Sequence, residues 1–400
     1  MKLFPNIVHA VIRNLEQIFN EKKYADKVIE RCLKSNARWG ARDRRFIAET
    51  TYEIVRWWRL LKEVSLAREG DHWSVFGAWC ILQGEELPAW EEFKHLHPEQ
   101  LQRRLDEARK IRAVKESIPD WLDKLGEAEL KDKWDRELTA LNVQAEVMIR
   151  VNTLRTTVPV LSRLLHAQDV ATHSLPGLDE ALVLDKRQNI FKVPEFKLGY
   201  FEIQDASSQM VAPFMDVRPG MRAIDACAGA GGKTLHMAAR MENKGKIIAL
   251  DMEQWKLDEL AKRARRAGAF NIEPRLIDSP KVIKKLEASA DRLLLDVPCS
   301  GLGVLRRNPD SKWKLSPERI RELHGIQAKI LHDYSIMLKN GGVMVYSTCS
   351  ILPSENAGQV QAFLKAQDGK FELVKEQSIL PSSGSDGFYM AALQKMATKA

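Results

Sequence analysis

The chain has 400 residues, of which 44% are hydrophobic and 29% charged. Such a composition excludes a disordered chain, and the length exceeds one ordinary core, so two or three domains are expected. A net charge of +8 favours a polyanionic partner, because a summed positive field draws phosphate toward a surface.

The first twenty residues mix apolar side chains with Lys2, Arg13 and Glu16, so they lack the continuous apolar segment of a secretory signal. No run approaches the roughly 20 apolar residues that span a bilayer, and no membrane association is expected. Ile7–Phe19 and Phe46–Leu61 carry apolar residues at three- and four-residue spacing, which predicts helices. Eight of the ten tryptophans lie before residue 135, and Pro88, Pro98 and Pro119 punctuate this stretch. Residues 1–141 therefore read as a helical domain, its indoles packed in a core or, alternatively, stacked on bases. Val147–Asn152 reads as a strand, Val158–Gln168 as a helix, and Ala181–Leu184 and Ile190–Val193 as short strands, which makes 142–202 a small α/β domain. From 203 onward strands and helices alternate. The strands are Ala223–Asp225, Lys246–Asp251, Pro274–Asp278, Arg292–Val297 and Val343–Thr348. Helices over Thr234–Arg240, Gln254–Ala267, Lys281–Glu287 and Pro317–Leu338 separate them. This order predicts a doubly wound parallel α/β sheet, with Phe371–Glu376 and Gly387–Lys395 as an antiparallel pair at one edge.

Asp225, Asp251, Asp278, Asp296 and Cys349 each fall at or just past the C-terminal end of a strand, where an open α/β sheet binds its ligands. The loop after the first of these strands runs Asp225-Ala-Cys227-Ala228-Gly229-Ala230-Gly231-Gly232-Lys233-Thr234. Its glycines permit a tight turn and close approach of a ligand to the backbone. A P-loop would need glycine where Cys227 stands, and a dinucleotide fingerprint would need glycine where Thr234 stands, so neither phosphate motif is complete. Asp251 lies 20 residues after Gly231 and can accept hydrogen bonds from both ribose hydroxyls of an adenosine-containing cofactor. Asp278 either accepts from an adenine amino group or caps the helix after Ser279. The fourth and fifth strands of such a sheet are usually neighbours. That puts Cys299, in Asp296-Val-Pro-Cys299-Ser-Gly301-Leu-Gly303, and Cys349, in Ser347-Thr-Cys349-Ser350, on one cleft. Both lie in polar turns that suit an activated thiol. The five cysteines are odd in number and form no C-x-x-C pair. This argues against a disulfide framework and a structural metal, and for a reducing, cytoplasmic compartment.

These three motifs resemble the RsmB/Fmu (Sun) family of RNA 5-methylcytosine methyltransferases. So do Arg150-Val-Asn-Thr-Leu-Arg155, Gln204-Asp-Ala-Ser-Ser-Gln209, Arg306-Arg-Asn-Pro-Asp-Ser-Lys-Trp313, Pro353-Ser-Glu355-Asn356 and Asp386-Gly-Phe388. The likeness runs from about residue 148 to the end. Leu302, where Thr is common, and Ala357, where an acid is common, are small departures. Residues 38–61, with Arg42-Asp-Arg44-Arg45, resemble the NusB-like helical RNA-binding domain of the bacterial members. The resemblance implies a Rossmann-like, S-adenosylmethionine-dependent methyltransferase domain at 203–400, preceded by a small α/β RNA-binding domain at 142–202 and a NusB-like domain at 1–141. It also implies Cys349 as the nucleophile, Cys299 as the residue that assists release, and Asp296 on the cytosine ring. Cofactor contacts fall to Cys227, Ala228, Gly229, Ala230, Gly231, Gly232, Lys233, Asp251, Asp278 and Asp296. Lys233 pairs either with the cofactor carboxylate or with an aspartate. Arg42, Arg44, Arg45, Arg150, Arg155, Arg306 and Arg307 are candidates for RNA phosphates. The basic run Lys262, Arg263, Arg265 and Arg266 is such a surface or simply a solvated helix face. The implied partner is structured RNA, small-subunit ribosomal RNA first and transfer RNA second, bound by a monomer. A non-catalytic assembly factor that keeps the fold is the reading from another class, and both cysteines and all four aspartates argue against it.

Overall fold

In the first 143 residues apolar side chains recur every three or four positions, and the chain winds into helices that bury them. The computed structural model describes residues 3–397. It divides into two units, Met1–Val143 with Val304–Pro317, and Gln144–Gly303 with Glu318–Ala400. No helix among the described residues is long and apolar enough to cross a membrane.

The first unit is helical. Val8, Val11 and Leu15 of the helix Pro5–Phe19 pack with Ile47 and Ile54 of Ala41–Arg56 and with Phe76 of His72–Leu82. Asp71 caps the last of these by accepting from Ser74 N at 3.0 Å. The single helix expected over Phe46–Leu61 is two, Ala41–Arg56 and Trp58–Ser65, hinged at Trp57. The break is stable because Ser117 Oγ, outside the helix, accepts from Arg59 N at 2.9 Å and so satisfies an otherwise orphaned amide. Most of the tryptophans pack in or against this core, as in the Phe19–Trp58 stack with centroids 3.7 Å apart. The segment 304–317 is bolted into the same unit. Lys312 Nζ donates to Arg56 O at 2.8 Å, Trp313 Nε1 to Val55 O at 2.8 Å, and Arg56 returns a bond to Arg306 O at 3.0 Å.

The second unit carries two sheets. The smaller contains β1 (Met148–Val151), β2 (Thr172–Leu175), β3 (Leu178–Leu184) and β4 (Phe201–Ile203), in the order β2-β3-β1-β4, all antiparallel. Ile190–Val193, expected as a strand, is instead a tight helical turn at Ile190–Lys192. Asn189 caps it by accepting from Phe191 N at 3.1 Å, and Pro194 follows at once. The larger sheet contains β5 (Arg222–Asp225), β6 (Lys246–Asp251), β7 (Ile272–Leu276), β8 (Ala290–Asp296), β9 (Leu338–Thr348), β10 (Phe371–Ile379) and β11 (Phe388–Lys395). Its order is β10-β11-β9-β8-β5-β6-β7. The five strands β5 to β9 are parallel and the β10–β11 pair is antiparallel, closing one edge as expected. Central strands such as β6 and β8 read as apolar runs because both faces are covered. This is the doubly wound α/β architecture the alternation predicts.

Candidate active site

Strand β5 ends in Asp225, and the glycine-rich loop follows it into the helix Gly232–Arg240. Gly231 takes φ +87° at the helix entrance, and a β-carbon there would stand 2.6 Å from the Leu260 side chain, so only glycine fits. Two guanidinium groups brace the loop from behind. Arg150, on β1 of the small sheet, donates to Gly232 O at 2.8 Å and to Gln204 Oε1. Arg263, on the helix Gln254–Ala267, donates to Ala230 O at 2.8 Å. Glu202, buried on β4, pairs with Arg263 at 2.9 Å and with Arg266 at 2.5 Å. On the ligand side, Asp251 accepts from Gly229 N and from Glu253 N, each at 2.9 Å. Asp225 accepts from Thr234 Oγ1 at 2.7 Å, while its Oδ1 is buried without a partner. Burial, with the charge of Asp296 adding to it, lifts the Asp225 pKa to about 7.

The second cluster lies at the ends of β8 and β9, which are parallel neighbours. Cys299 Sγ and Cys349 Sγ are 3.3 Å apart and both residues are half-buried. The contact with Cys349, and then burial, push the Cys299 thiol well above its ordinary range, so Cys299 stays protonated. Asp296 accepts from Lys233 Nζ at 2.7 Å and from Ser347 Oγ at 2.9 Å. Burial pulls the Lys233 pKa down, but Asp296, by charge and hydrogen bond, more than offsets this and holds the ammonium above the usual lysine range. Gly303 closes the Cys299 loop on the Cys349 strand end. Its N–H donates to Cys349 O at 2.9 Å, and a β-carbon would meet that oxygen at 2.7 Å.

Of the residues expected at the site, the loop Cys227–Lys233 and the side chains Asp251, Asp296, Cys299 and Cys349 share the C-terminal edge of the large sheet. Asp225 joins them. Cys227 is pushed up by burial and by the surrounding aspartates, which fits packing rather than nucleophilic chemistry. Asp278 is exposed just beyond β7 and accepts from Ser279 Oγ at 2.9 Å. The helix Pro280–Lys284 takes no side-chain cap, so the capping alternative for Asp278 falls away. In the Lys233 alternative, this structure pairs the ammonium with an aspartate, Asp296.

Three of the arginines expected on RNA are corrected. Arg44 spends its guanidinium on the carbonyls of Trp39, Leu33 and Asn36 at 3.0, 2.7 and 3.2 Å. Arg150 is 2% exposed and braces the glycine loop. Arg306 is buried in the helical unit, with Nε on Val143 O at 3.4 Å. Arg150 and Arg306 are buried and the half-buried Arg44 is committed to internal carbonyls, so none of the three presents its donors to a phosphate. Arg42, Arg45 and Arg155 are exposed, and Arg307 is half-buried. The brace formed by Glu202 and Arg263 escaped sequence reasoning. Its one signal was an acidic residue set between Phe201 and Ile203 in a short apolar strand.

Residues 212–394 match the family described as 16S rRNA methyltransferase RsmB/F. Residues 118–191 match a RsmF/B-like ferredoxin-like domain. A probable ribosomal RNA small subunit methyltransferase B from Synechocystis sp. is 36% identical over 299 residues, 70% of this chain and 67% of that protein. The match thus spans about two thirds of the relative's length. The crystal structure of PH0851 superposes with a TM-score of 0.83 over 99% of this chain and all of that one, at 23% identity, and so shows the fold. A methyltransferase homolog from Pyrococcus horikoshii has a TM-score of 0.64 at 26% identity, over 71% of this chain and 98% of that one. Two cysteines paired across adjacent strand ends, beside a braced glycine loop on a doubly wound sheet, agree with the sequence matches: the chain is an RNA methyltransferase and belongs to the RsmB/F family of 16S rRNA methyltransferases.

Proposed function

We propose that this chain transfers the methyl group of S-adenosylmethionine to carbon 5 of a cytosine in small-subunit ribosomal RNA, with Cys349 as the nucleophile. The observation that carries this reading is the 3.3 Å contact between Cys299 and Cys349 beside the Lys233–Asp296 pair. A methyltransferase acting on an exocyclic or ring nitrogen has no use for two apposed thiols.

The residues present fit the cofactor. Asp251, organised by two backbone amides, is an acceptor for a ribose. The unpartnered Asp225 Oδ1 and the glycine loop provide a polar cradle, and Asp278 stands exposed where it can meet the adenine. Cys227 to Lys233 and Asp251, Asp278 and Asp296 would hold it. Bound there, S-adenosylmethionine supplies an electrophilic methyl group.

Carbon 5 of cytosine is a poor nucleophile, so the chain must activate it. The Cys349 thiolate adds to carbon 6 of the ring, and the displaced electron pair makes carbon 5 enamine-like. Asp296, held by Lys233 and Ser347, faces the charge that develops on the ring nitrogen and amino group. After transfer, water takes the proton from carbon 5, the electron pair left behind re-forms the ring double bond, and the carbon–sulfur bond breaks to return the Cys349 thiolate. Cys299, kept as a thiol, donates a hydrogen bond to the departing sulfur and so assists release. The cytosine must leave its stack to reach both sulfurs.

The RNA reading rests on the relatives' names, the net charge of +8 and the exposed Arg42, Arg45 and Arg155. We assign 1–141 and 142–202 to RNA binding and 203–400 to catalysis, in a cytoplasmic monomer. The five cysteines are free. The test is to incubate the wild type, Cys349→Ala and Cys299→Ala with ribosomal RNA or transfer RNA and labelled S-adenosylmethionine. Expected are 5-methylcytosine in ribosomal RNA with the wild type, a trapped protein–RNA adduct with Cys299→Ala, and neither with Cys349→Ala. Product from Cys349→Ala would overturn the nucleophile, and methylation confined to transfer RNA would overturn the substrate.

A further inference from the structure

Glu355 lies where the Cys299 loop and the Cys349 loop meet. It is fully buried, and its four partners are all neutral donors. Oε1 accepts from Ser300 N at 2.8 Å and from Gln327 Nε2 at 3.0 Å. Oε2 accepts from Ser300 Oγ at 2.5 Å and from Ser350 Oγ. Burying a carboxylate without a cation is costly, and it persists only where several donors converge on it. The donors here are not scattered. Ser300 directly follows Cys299 and Ser350 directly follows Cys349. Gln327 also donates to Pro298 O at 3.0 Å, just before Cys299. The neighbouring Asn356 completes the grip on the second loop, donating to Ser350 O at 3.0 Å and accepting from Thr348 Oγ1 at 2.5 Å. Glu355 itself is pinned by Tyr346 Oη, which donates to its carbonyl at 2.6 Å.

We propose that Glu355 is a positioning residue that joins the Cys299 loop to the Cys349 loop and thereby sets the separation and orientation of the two sulfurs. This deepens the methyl-transfer reading and rests on it. The β8–β9 ladder and the Gly303–Cys349 backbone bond align the strand ends, and Glu355 fixes the turns beyond them, where the two sulfurs sit. A carboxylate can do what an amide cannot, because both its oxygens accept and can serve both loops at once. The anion also faces Cys299 and adds to the influences that keep that thiol protonated.

The experiment uses the full chain with Glu355→Ala, Glu355→Gln and Ser350→Ala. In the first measurement, diamide oxidises Cys299 and Cys349 to a disulfide as it is itself reduced to the hydrazine, and the linked peptide is timed by mass spectrometry. In the second, the rate of RNA adduct formation is followed in the Cys299→Ala background. In the third, S-adenosylhomocysteine affinity is measured by calorimetry. Misplacement of reacting groups by about 1 Å costs up to about 10²-fold in rate. Glu355→Ala should therefore slow both disulfide and adduct formation on the order of 10- to 100-fold, with the affinity within about twofold of wild type. Glu355→Gln, which keeps an acceptor for one loop, should recover part of the loss, and Ser350→Ala should resemble it. Wild-type rates of disulfide formation in Glu355→Gln and Ser350→Ala would overturn the proposal, and these two variants decide the matter if Glu355→Ala does not fold. Loss of S-adenosylhomocysteine binding in step with the rates would also overturn it, as a purely structural role. Failure of the wild type to form any adduct, with disulfide formation still dependent on Glu355, would strike the methyl-transfer reading and leave the positioning role standing.

Discussion

The glycine loop after β5 and the cysteine loops after β8 and β9 occupy the same edge of one sheet, yet groups of opposite charge hold them. Behind the glycine loop are cations: Arg150 on Gly232 O and Arg263 on Ala230 O, with Glu202 in turn fixing Arg263. Behind the cysteine loops is an anion, Glu355, on the Ser300 amide and the Ser300 and Ser350 hydroxyls. The reason lies in the backbone. The glycine loop turns carbonyls toward the scaffold, and carbonyls need donors. The cysteine loops turn the Ser300 amide and the Ser300 and Ser350 hydroxyls toward Glu355, and those need an acceptor, while Gln327 and Asn356 serve the Pro298 and Ser350 carbonyls. A brace is thus chosen by whichever polar group the turn presents, and the two halves of the site can be disturbed separately.

The largest effect expected is on the cysteine side. Cys349→Ala should lower methyl transfer on the order of 10³-fold or more, measured as label incorporated into RNA, with S-adenosylhomocysteine affinity unchanged. Removing the anion behind the other brace should act on stability. Glu202→Ala leaves the half-buried Arg263 and Arg266 without the buried carboxylate they share and should cost about 1–3 kcal/mol, read as a shift in denaturant midpoint; an unchanged midpoint would break the comparison.

Asp225 gives the pH test. Its ordinary pKa of 3.8 is raised to about 7 in the fold, so the folded chain binds the proton more tightly than the unfolded one. Its contribution to stability is fully present below about pH 4 and is lost as pH rises through about 7. The stability of wild type relative to Asp225→Asn should therefore fall across that window by roughly 4 kcal/mol at most, in denaturant titrations from pH 4 to 8. A difference that rises with pH would reverse the assignment.

Arg263→Met should weaken S-adenosylhomocysteine by about tenfold, the worth of one charge-assisted hydrogen bond, with adduct formation at saturating cofactor nearly unchanged. The reverse pattern would merge the two halves into one. The smallest effects belong to the exposed arginines. Arg42→Ala, Arg45→Ala and Arg155→Ala should each weaken RNA binding severalfold, without changing which cytosine is modified, and lower the salt slope by about 1.

Much of this site was legible in the residues. The aspartates and cysteines at strand ends follow from period and punctuation alone, and the adjacency of β8 and β9 follows from the usual order of such sheets. What the residues said about arginine was less reliable. Arg150, Arg155 and Arg44 look alike in sequence, but β1 pairs Arg150 across to Ala181 on one side and Glu202 on the other, which buries it. Arg44 is captured by carbonyls of its own neighbourhood. Glu355 sat in a recognised motif five residues from its partner Ser350, and nothing local tells that its other partners are 28 and 55 residues away.

The sequence by itself determined the strands of the large sheet, the sheet class and the chemistry at the strand ends, because periodicity, glycine geometry and the identity of a nucleophile are local properties. Tertiary structure alone decided which polar side chains were tools and which were braces. It also drew residues 304–317 into the helical unit through Lys312, Trp313 and Arg56. The reason is that a side chain's role is set by what desolvates it and what it bonds, and those partners meet only when distant segments pack.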